Sequence, residues 1–377
     1  MKRLPHGAAG RSRRSGFHGR SRRLTGLIAV ALTLGAWPAL SAAKTTNRGG
    51  ENVPYTWGHA VANLDKTVHF YHDVLGLQLV RPVASHAEPD PQYARLTGTA
   101  GAKYRSAFFR VPNEPFLLEF TQYTGIPRKE LQATEADPGA AALTLTVKNP
   151  AAAYAALRKA HTPTLLPGGS IPTPTGTPGL VTVFVRDPDG YIVEVVHRLP
   201  GDWFTVPPPA ITDGPGMRYV IRGQLDLSVA SLAPTLTFYH HLLGFDISPG
   251  FPPLAGPGLS VLPPPLASMF GITPGSEWGA ETGNCTPTTR CEYYDYQDPA
   301  RKTFNPAIQD PGAPIETIKT PNLHVLLSRM KASHIRIVTP GHQPVTIDGT
   351  PSIIVRDPSG MLIRLQQDEP ETAPLTN

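Results

Sequence analysis

The sequence predicts an α+β fold built from four βαβββ modules, and three observations lead there. Residues 64–76, Leu-Asp-Lys-Thr-Val-His-Phe-Tyr-His-Asp-Val-Leu-Gly, return as 232–244, Leu-Ala-Pro-Thr-Leu-Thr-Phe-Tyr-His-His-Leu-Leu-Gly. Two further anchors follow each copy in the same order. Asp-Pro-Gly-Ala stands at 137–140 and 310–313, and Val-Arg-Asp-Pro-x-Gly at 185–190 and 355–360. Within each half, apolar residues switch between helical and strand periodicity twice, so each half divides again.

In the first half, residues 57–61 read as a short strand. Asp65 is placed to cap the helix that follows, because a carboxylate there accepts the free amide hydrogens of the first turn. Val68, Tyr71 and Leu75 share one helical face, and Gly76 ends the helix where a left-handed residue costs least. Strands are expected at 77–80, 105–111 and 116–122. The unit then recurs as a strand at 143–147, a helix at 151–160 led by Pro150, and strands near 163–166, 181–186 and 191–197. Gly190 supplies the positive φ of the turn Arg186-Asp187-Pro188-Asp189-Gly190. No single module buries both its helix and its sheet, so modules must pair. The sequence leaves open whether they pair within a half, across the halves, or between chains as a homo-oligomer.

Composition bounds the function classes. The 377 residues are 40% hydrophobic and 17% charged, suited to two globular domains. The formal charge of +5 belongs to residues 1–43, which hold eight of the 34 Lys and Arg and no acid; the remaining 26 face 29 Asp and Glu. A nucleic-acid role therefore loses its support. Residues 1–43 have a basic start, an apolar stretch from 24 to 40 and small residues at 41–43, the pattern of an export signal, by the general or the twin-arginine route. Thr25, Gly26, Thr33, Gly35 and Pro38 interrupt the apolar run, so no stable membrane insertion is expected once the signal is removed. The mature protein is expected to be periplasmic or secreted. There Cys285 and Cys291, six apart around a turn, are placed to form a disulfide; two free thiols are the alternative. The expected layout is a lead-in at 44–51, domain 1 at 52–198, a Pro/Gly-rich linker at 199–216, domain 2 at 217–367 and a tail at 368–377.

Phe-Tyr-x-x-x-Leu-Gly after a capped helix, and Arg-Asp-Pro-Asp-Gly-Tyr-Ile-Val-Glu at 186–194, resemble the vicinal oxygen chelate superfamily of glyoxalases, bleomycin resistance proteins and extradiol dioxygenases. The resemblance implies two cup-shaped mixed-sheet domains. In each cup four inward positions, usually His or Glu and sometimes Gln, hold a divalent metal. On these positions domain 1 would offer Thr56, Glu119, Ala142 and Glu194, and domain 2 Gln224, Asp295, Ile315 and Arg364. His59 falls on the opposite face from Thr56 and reads as a packed histidine. Alanine lacks a donor atom and Arg364 repels a cation. A complete transition-metal site is therefore not expected, leaving at most a weakly bound divalent ion on Glu119 and Glu194.

The leading functional expectation is an exported protein that binds a small organic molecule in a cup, on the precedent of resistance proteins of this fold. The alternative is a metal-dependent lyase, isomerase or dioxygenase using Glu119 and Glu194. Tyr104 and Trp278 match each other after Gly-rich approaches and are expected at the two cup mouths, with core packing as the alternative. Residues 249–282, with Phe251, Met269, Phe270 and Trp278, are expected to form a lid or, alternatively, an interdomain brace.

Overall fold

The computed structural model describes residues 52–80, 83–85, 88–166, 168–171, 181–197, 218–249 and 258–368. The expected export signal, lead-in and linker, and the tail beyond residue 368, lie outside the described residues.

The first module contains β1 (Val53–Ala60), α1 (Leu64–Val68), β2 (Gln78–Leu79), β3 (Ala84–Ser85), α2 (Pro91–Thr97), β4 (Lys103–Arg110) and β5 (Leu117–Thr124). The second contains β6 (Ala141–Val147), α3 (Pro150–Lys159), β7 (Val181–Arg186) and β8 (Ile192–His197). The third has β9 (Val220–Ser228), α4 (Leu232–Leu236), β10 (Asp246–Pro249), β11 (Ser260–Val261), α5 (Pro264–Phe270), β12 (Glu277–Asn284) and β13 (Arg290–Gln297). The fourth has β14 (Pro314–Thr320), α6 (Leu323–Ala332), β15 (Val345–Ile347), β16 (Thr350–Arg356) and β17 (Leu362–Gln367).

These strands make two mixed sheets, and neither follows the expected halves. One sheet runs β15-β16-β17-β14-β1-β5-β4-β2, joining the fourth module to the first; we call its concave face cup A. The other runs β10-β12-β13-β9-β6-β8-β7, joining the third module to the second, and forms cup B. At each centre the first strands of two modules pair antiparallel, with Thr56 opposite Thr317 and Thr144 opposite Gln224. The pairing that sequence left open is thus across the halves.

Local chemistry explains the repeated helices. Asn63, not Asp65, caps α1: its side chain accepts from the amides of Asp65 and Lys66, because Asn63 is extended while Leu64 is already helical. Asp65 instead faces solvent beside Arg105. In both copies the Phe-Tyr stretch widens into a π-helical turn, His69–Val74 and Thr237–Leu242. Gly76 then takes φ 76°. The turn buries Tyr71 and Tyr239, whose hydroxyls donate to Asp187 at 3.2 Å and Asp357 at 3.1 Å. The Asp-Pro-x-Gly anchor is therefore the receptor for the helix tyrosine of the preceding module.

One continuous apolar core, including Trp57, Phe120, Leu145, Val195, Leu225, Tyr293, Ile318 and Ile363, packs behind both cups. Burial of this size is the main favourable term in folding. Cys285 and Cys291 are disulfide-bonded at the far end of the β12–β13 hairpin. Among the described residues no helix is long and apolar enough to cross a membrane.

Candidate functional site

The two cups share strand register but hold different chemistry. In cup A, Thr56 on β1 donates to Glu119 Oε2 on β5 at 2.8 Å. Across the centre stand Thr317 on β14 and, beside it, Arg364 on β17. A narrow recess of about 20 Å³, room for a water molecule, is lined by Glu119, Arg364, Thr317, Tyr93, Tyr123, Ile308, Ile315 and Ile354, among others. Among the described residues Arg364 has one weak partner at 3.5 Å, Ser352 Oγ, and its buried Nε makes no hydrogen bond.

The roof of cup A is α2, which Asp90 caps at Gln92 and Tyr93. Tyr93 stacks on Tyr104 at 3.9 Å, and its hydroxyl meets that of Tyr123 at 2.9 Å. Burial, then the nearby Glu119 charge, raises the Tyr93 phenol to about 12, so it remains a neutral hydrogen-bonding group. Tyr104 stacks against Tyr93, and its hydroxyl turns toward Asp90 at 3.4 Å.

Cup B is acidic. Thr144 Oγ1 lies 2.6 Å from Glu194 Oε2 and 2.5 Å from Asp226 Oδ2, while Thr182 donates to Glu194 Oε1 at 2.6 Å. Gln224 donates to Asp226 Oδ1 at 2.8 Å. A hydroxyl has one proton to give. If Thr144 serves both carboxyls, one of them must bring its own, and Asp226 is that group. Burial, then the charges of Glu292 and Glu194, holds its pKa well above the usual carboxylate range. Glu135, 5% exposed, is lifted to about 7 by burial and then by Glu194. Glu292 is held by Arg290 at 2.9 Å and by the Tyr294 hydroxyl.

The mouth of cup B is filled from within. Trp278 stands there, stacked with Tyr294 and Tyr296. The described part of the expected lid forms α5, whose Leu266, Ala267 and Phe270 pack with Leu262, Trp278 and Tyr296. Phe270 also meets Phe184 edge-on at 5.1 Å. Phe251 lies outside the described residues.

Several sequence assignments change. Glu119 and Glu194 sit on different sheets and do not share a cup, because modules pair across the halves. The counterpart of Glu119 is Glu292, not Asp295: β5 and β13 run beside β1 and β9 with Glu119 opposite Gly58 and Glu292 opposite Asp226. Asp295 is three residues further on, so it points to the other face, where it pairs with Arg301 at 2.9 Å. Thr144 and Thr317, not Ala142 and Ile315, lie opposite Gln224 and Thr56. The missed Glu292 was readable, since Leu-Glu at 118–119 recurs as Cys-Glu at 291–292 with the offset of the Asp-Pro-Gly-Ala anchor.

Neither cup fits the divalent metal that the family resemblance implies. Cup A has one carboxylate opposed by a guanidinium. In cup B, Glu194 and Asp226 are bridged by Thr144 and Glu292 is taken by Arg290. Among the described residues, no third carboxylate or imidazole joins that pair within reach of one ion.

The profile of the Glyoxalase/Bleomycin resistance protein/Dioxygenase superfamily matches residues 58–195. Glyoxalase I from Zea mays is similar over 84% of this chain and 92% of its own, at 16% identity and a TM-score of 0.50. A single-residue mutant of that protein aligns over 85% and 93%, at 16% identity and a TM-score of 0.51. A putative dioxygenase from Bacillus subtilis aligns over 85% and 87%, at 14% identity and a TM-score of 0.49. No curated protein matches the sequence. At these identities the likeness to glyoxalase I, at TM-scores of 0.50 and 0.51, establishes the fold alone: a tandem vicinal oxygen chelate architecture.

Proposed function

Taking the vicinal oxygen chelate fold as premise, we propose that this protein binds a small organic anion in cup A, without a metal ion, outside the cytoplasm. The observation that carries this reading is Arg364. A guanidinium with a buried, unpartnered Nε stands where relatives place a metal ligand, in a recess whose other wall is Ile308, Ile315 and Ile354. A buried donor left without a partner is costly, and an incoming carboxylate removes that cost. The recess holds only about 20 Å³, so entry requires α2 to move outward; the occupant's apolar body then rests on the isoleucines and Tyr123, and Thr56 holds Glu119 aside. The basic leader and the Cys285–Cys291 bridge support export.

Isothermal titration with a panel of small aromatic and branched aliphatic carboxylates tests this. At least one acid is expected to bind, and Arg364→Leu to abolish it, with chelators without effect. A panel that fails to bind, or binding unchanged in Arg364→Leu, contradicts the proposal. Sequencing the N-terminus of the protein recovered from the extracytoplasmic fraction tests export.

Cup B supports a second reading, proton transfer by Glu194 and a protonated Asp226 through Thr144. It requires α5 to lift, because Phe270 and Tyr296 occupy the mouth. Under this reading Glu194→Gln abolishes a turnover that Arg364→Leu leaves intact.

A further inference from the structure

We propose a divalent-metal site behind cup A, whose recess His59 also borders, formed by His59 of β1 with Asp187 and Asp189 of the β7–β8 turn. One ligand atom from each of the three lies within 4.8 Å of the others, the sole such group among the described residues. His59 is 1% exposed and clamped between rings, stacked on Tyr191 at 4.3 Å and edge-on to Phe120 at 5.0 Å. Its Nε2 lies 2.9 Å from Asp187 Oδ2, yet neither ring nitrogen makes a hydrogen bond. A buried imidazole without a hydrogen bond asks for an explanation. Two donors about 3 Å apart, not aimed along an N–H bond, are spaced as neighbouring ligands of one ion, for which metal–donor distances are roughly 2.0–2.2 Å. A neutral imidazole with two carboxylates carries a charge of −2, which a divalent cation balances.

The duplication supplies the control. The tyrosine–aspartate contact recurs in both halves, as Tyr71–Asp187 and Tyr239–Asp357, so the fold needs it. His59 and Asp189 do not recur: Leu227 and Ser359 occupy their places. Ser359 performs the backbone task of Asp189, accepting from Ala230 N at 3.0 Å as Asp189 Oδ1 accepts from Ala62 N at 2.6 Å. The imidazole and the second carboxylate are thus additions to the shared frame. They come from β1 of one sheet and a turn of the other, so a bound ion clasps the two sheets together. Mixed nitrogen and oxygen donors suit Zn²⁺ or Mn²⁺.

The test is elemental analysis by mass spectrometry of the whole chain, loaded with Zn²⁺ or Mn²⁺ and dialysed against metal-free buffer. About one equivalent is expected in the native chain and in Glu119→Gln and Glu194→Gln, so the result is independent of either cup. The double variant His59→Leu, Asp189→Ser, which copies the second half, is expected to retain less than roughly a tenth of that. Chelation is expected to lower the unfolding midpoint of the native chain by roughly 5 °C and to leave the double variant unchanged. If the double variant does not fold, His59→Leu alone decides by the same two readouts. A native chain that holds no metal after loading, or a folded variant that keeps it, overturns the proposal.

Discussion

Cups A and B have the same strand order and register, yet one keeps a recess and the other fills itself. Their roofs are equivalent helices, α2 and α5, resting on equivalent cross-strand pairs, Tyr104 with Tyr123 and Trp278 with Tyr296. The difference lies in single residues on this shared frame. Cup A has Gly58 where cup B has Asp226, and a Cβ at Gly58 would meet the Glu119 carbonyl oxygen at 1.8 Å. Cup A has Arg364 beside Thr317 where cup B has Glu194 beside Thr144. A duplicated fold thus separates two electrostatic settings, one cup lined by a guanidinium and the other by carboxyls whose pKa values are raised. It does so without changing a strand.

The largest expected effect breaks this comparison at its cationic end. Arg364→Leu is expected to weaken binding of the organic anion by about 2–5 kcal/mol, roughly thirty-fold or more by titration, since a buried charge pair loses one partner. Glu194→Gln is expected to leave that affinity unchanged.

Next in size is the self-filling of cup B. Tyr296 is wholly buried. Tyr296→Ala is expected to cost about 3 kcal/mol by denaturant unfolding, because it leaves a cavity beneath α5, while anion binding in cup A persists.

The third prediction uses the protons of cup B. Glu135 titrates at about 7 in the folded protein, above the usual 4.5, because of burial and then Glu194. The native state therefore keeps a proton that the unfolded chain releases, and stability falls as pH rises from about 4.5 to 7. Glu135→Gln is expected to remove roughly 1–3 kcal/mol of that fall. A pH series of unfolding midpoints checks the flattened slope.

The smallest effect compares the two halves at their helix starts. Asn63 caps α1 through its side chain, whereas Ser231 makes no such bond before α4. Asn63→Ala is expected to cost about 1 kcal/mol and Ser231→Ala much less, both by thermal unfolding.

The fold was legible because its signals are local. Phe-Tyr-x-x-x-Leu-Gly and Asp-Pro-x-Gly specify a helix end and a turn, and their repetition exposes the modules. Pairing was not legible, because β1 finds β14 about 260 residues away and nothing near either strand names its partner. That single ambiguity moved Glu194 into the wrong company. Parity accounts for Asp295: within Tyr-Tyr-Asp-Tyr, an odd step from Glu292 reverses the face, and composition alone gives no phase. His59 read correctly as lying opposite Thr56, but its proximity to Asp187 depends on the turn between β7 and β8 arriving from another sheet. Arg364 excludes a metal on charge alone, and the recess adds a buried Nε without a hydrogen bond beside an apolar wall.

Native mass spectrometry of the protein purified without added ligand tests the division of labour most directly, with Arg364→Leu and Glu194→Gln measured alongside. The account predicts a small organic adduct on the native chain and on Glu194→Gln, and its loss from Arg364→Leu. An adduct kept by Arg364→Leu and lost from Glu194→Gln would place the occupied cup on the other sheet and contradict it.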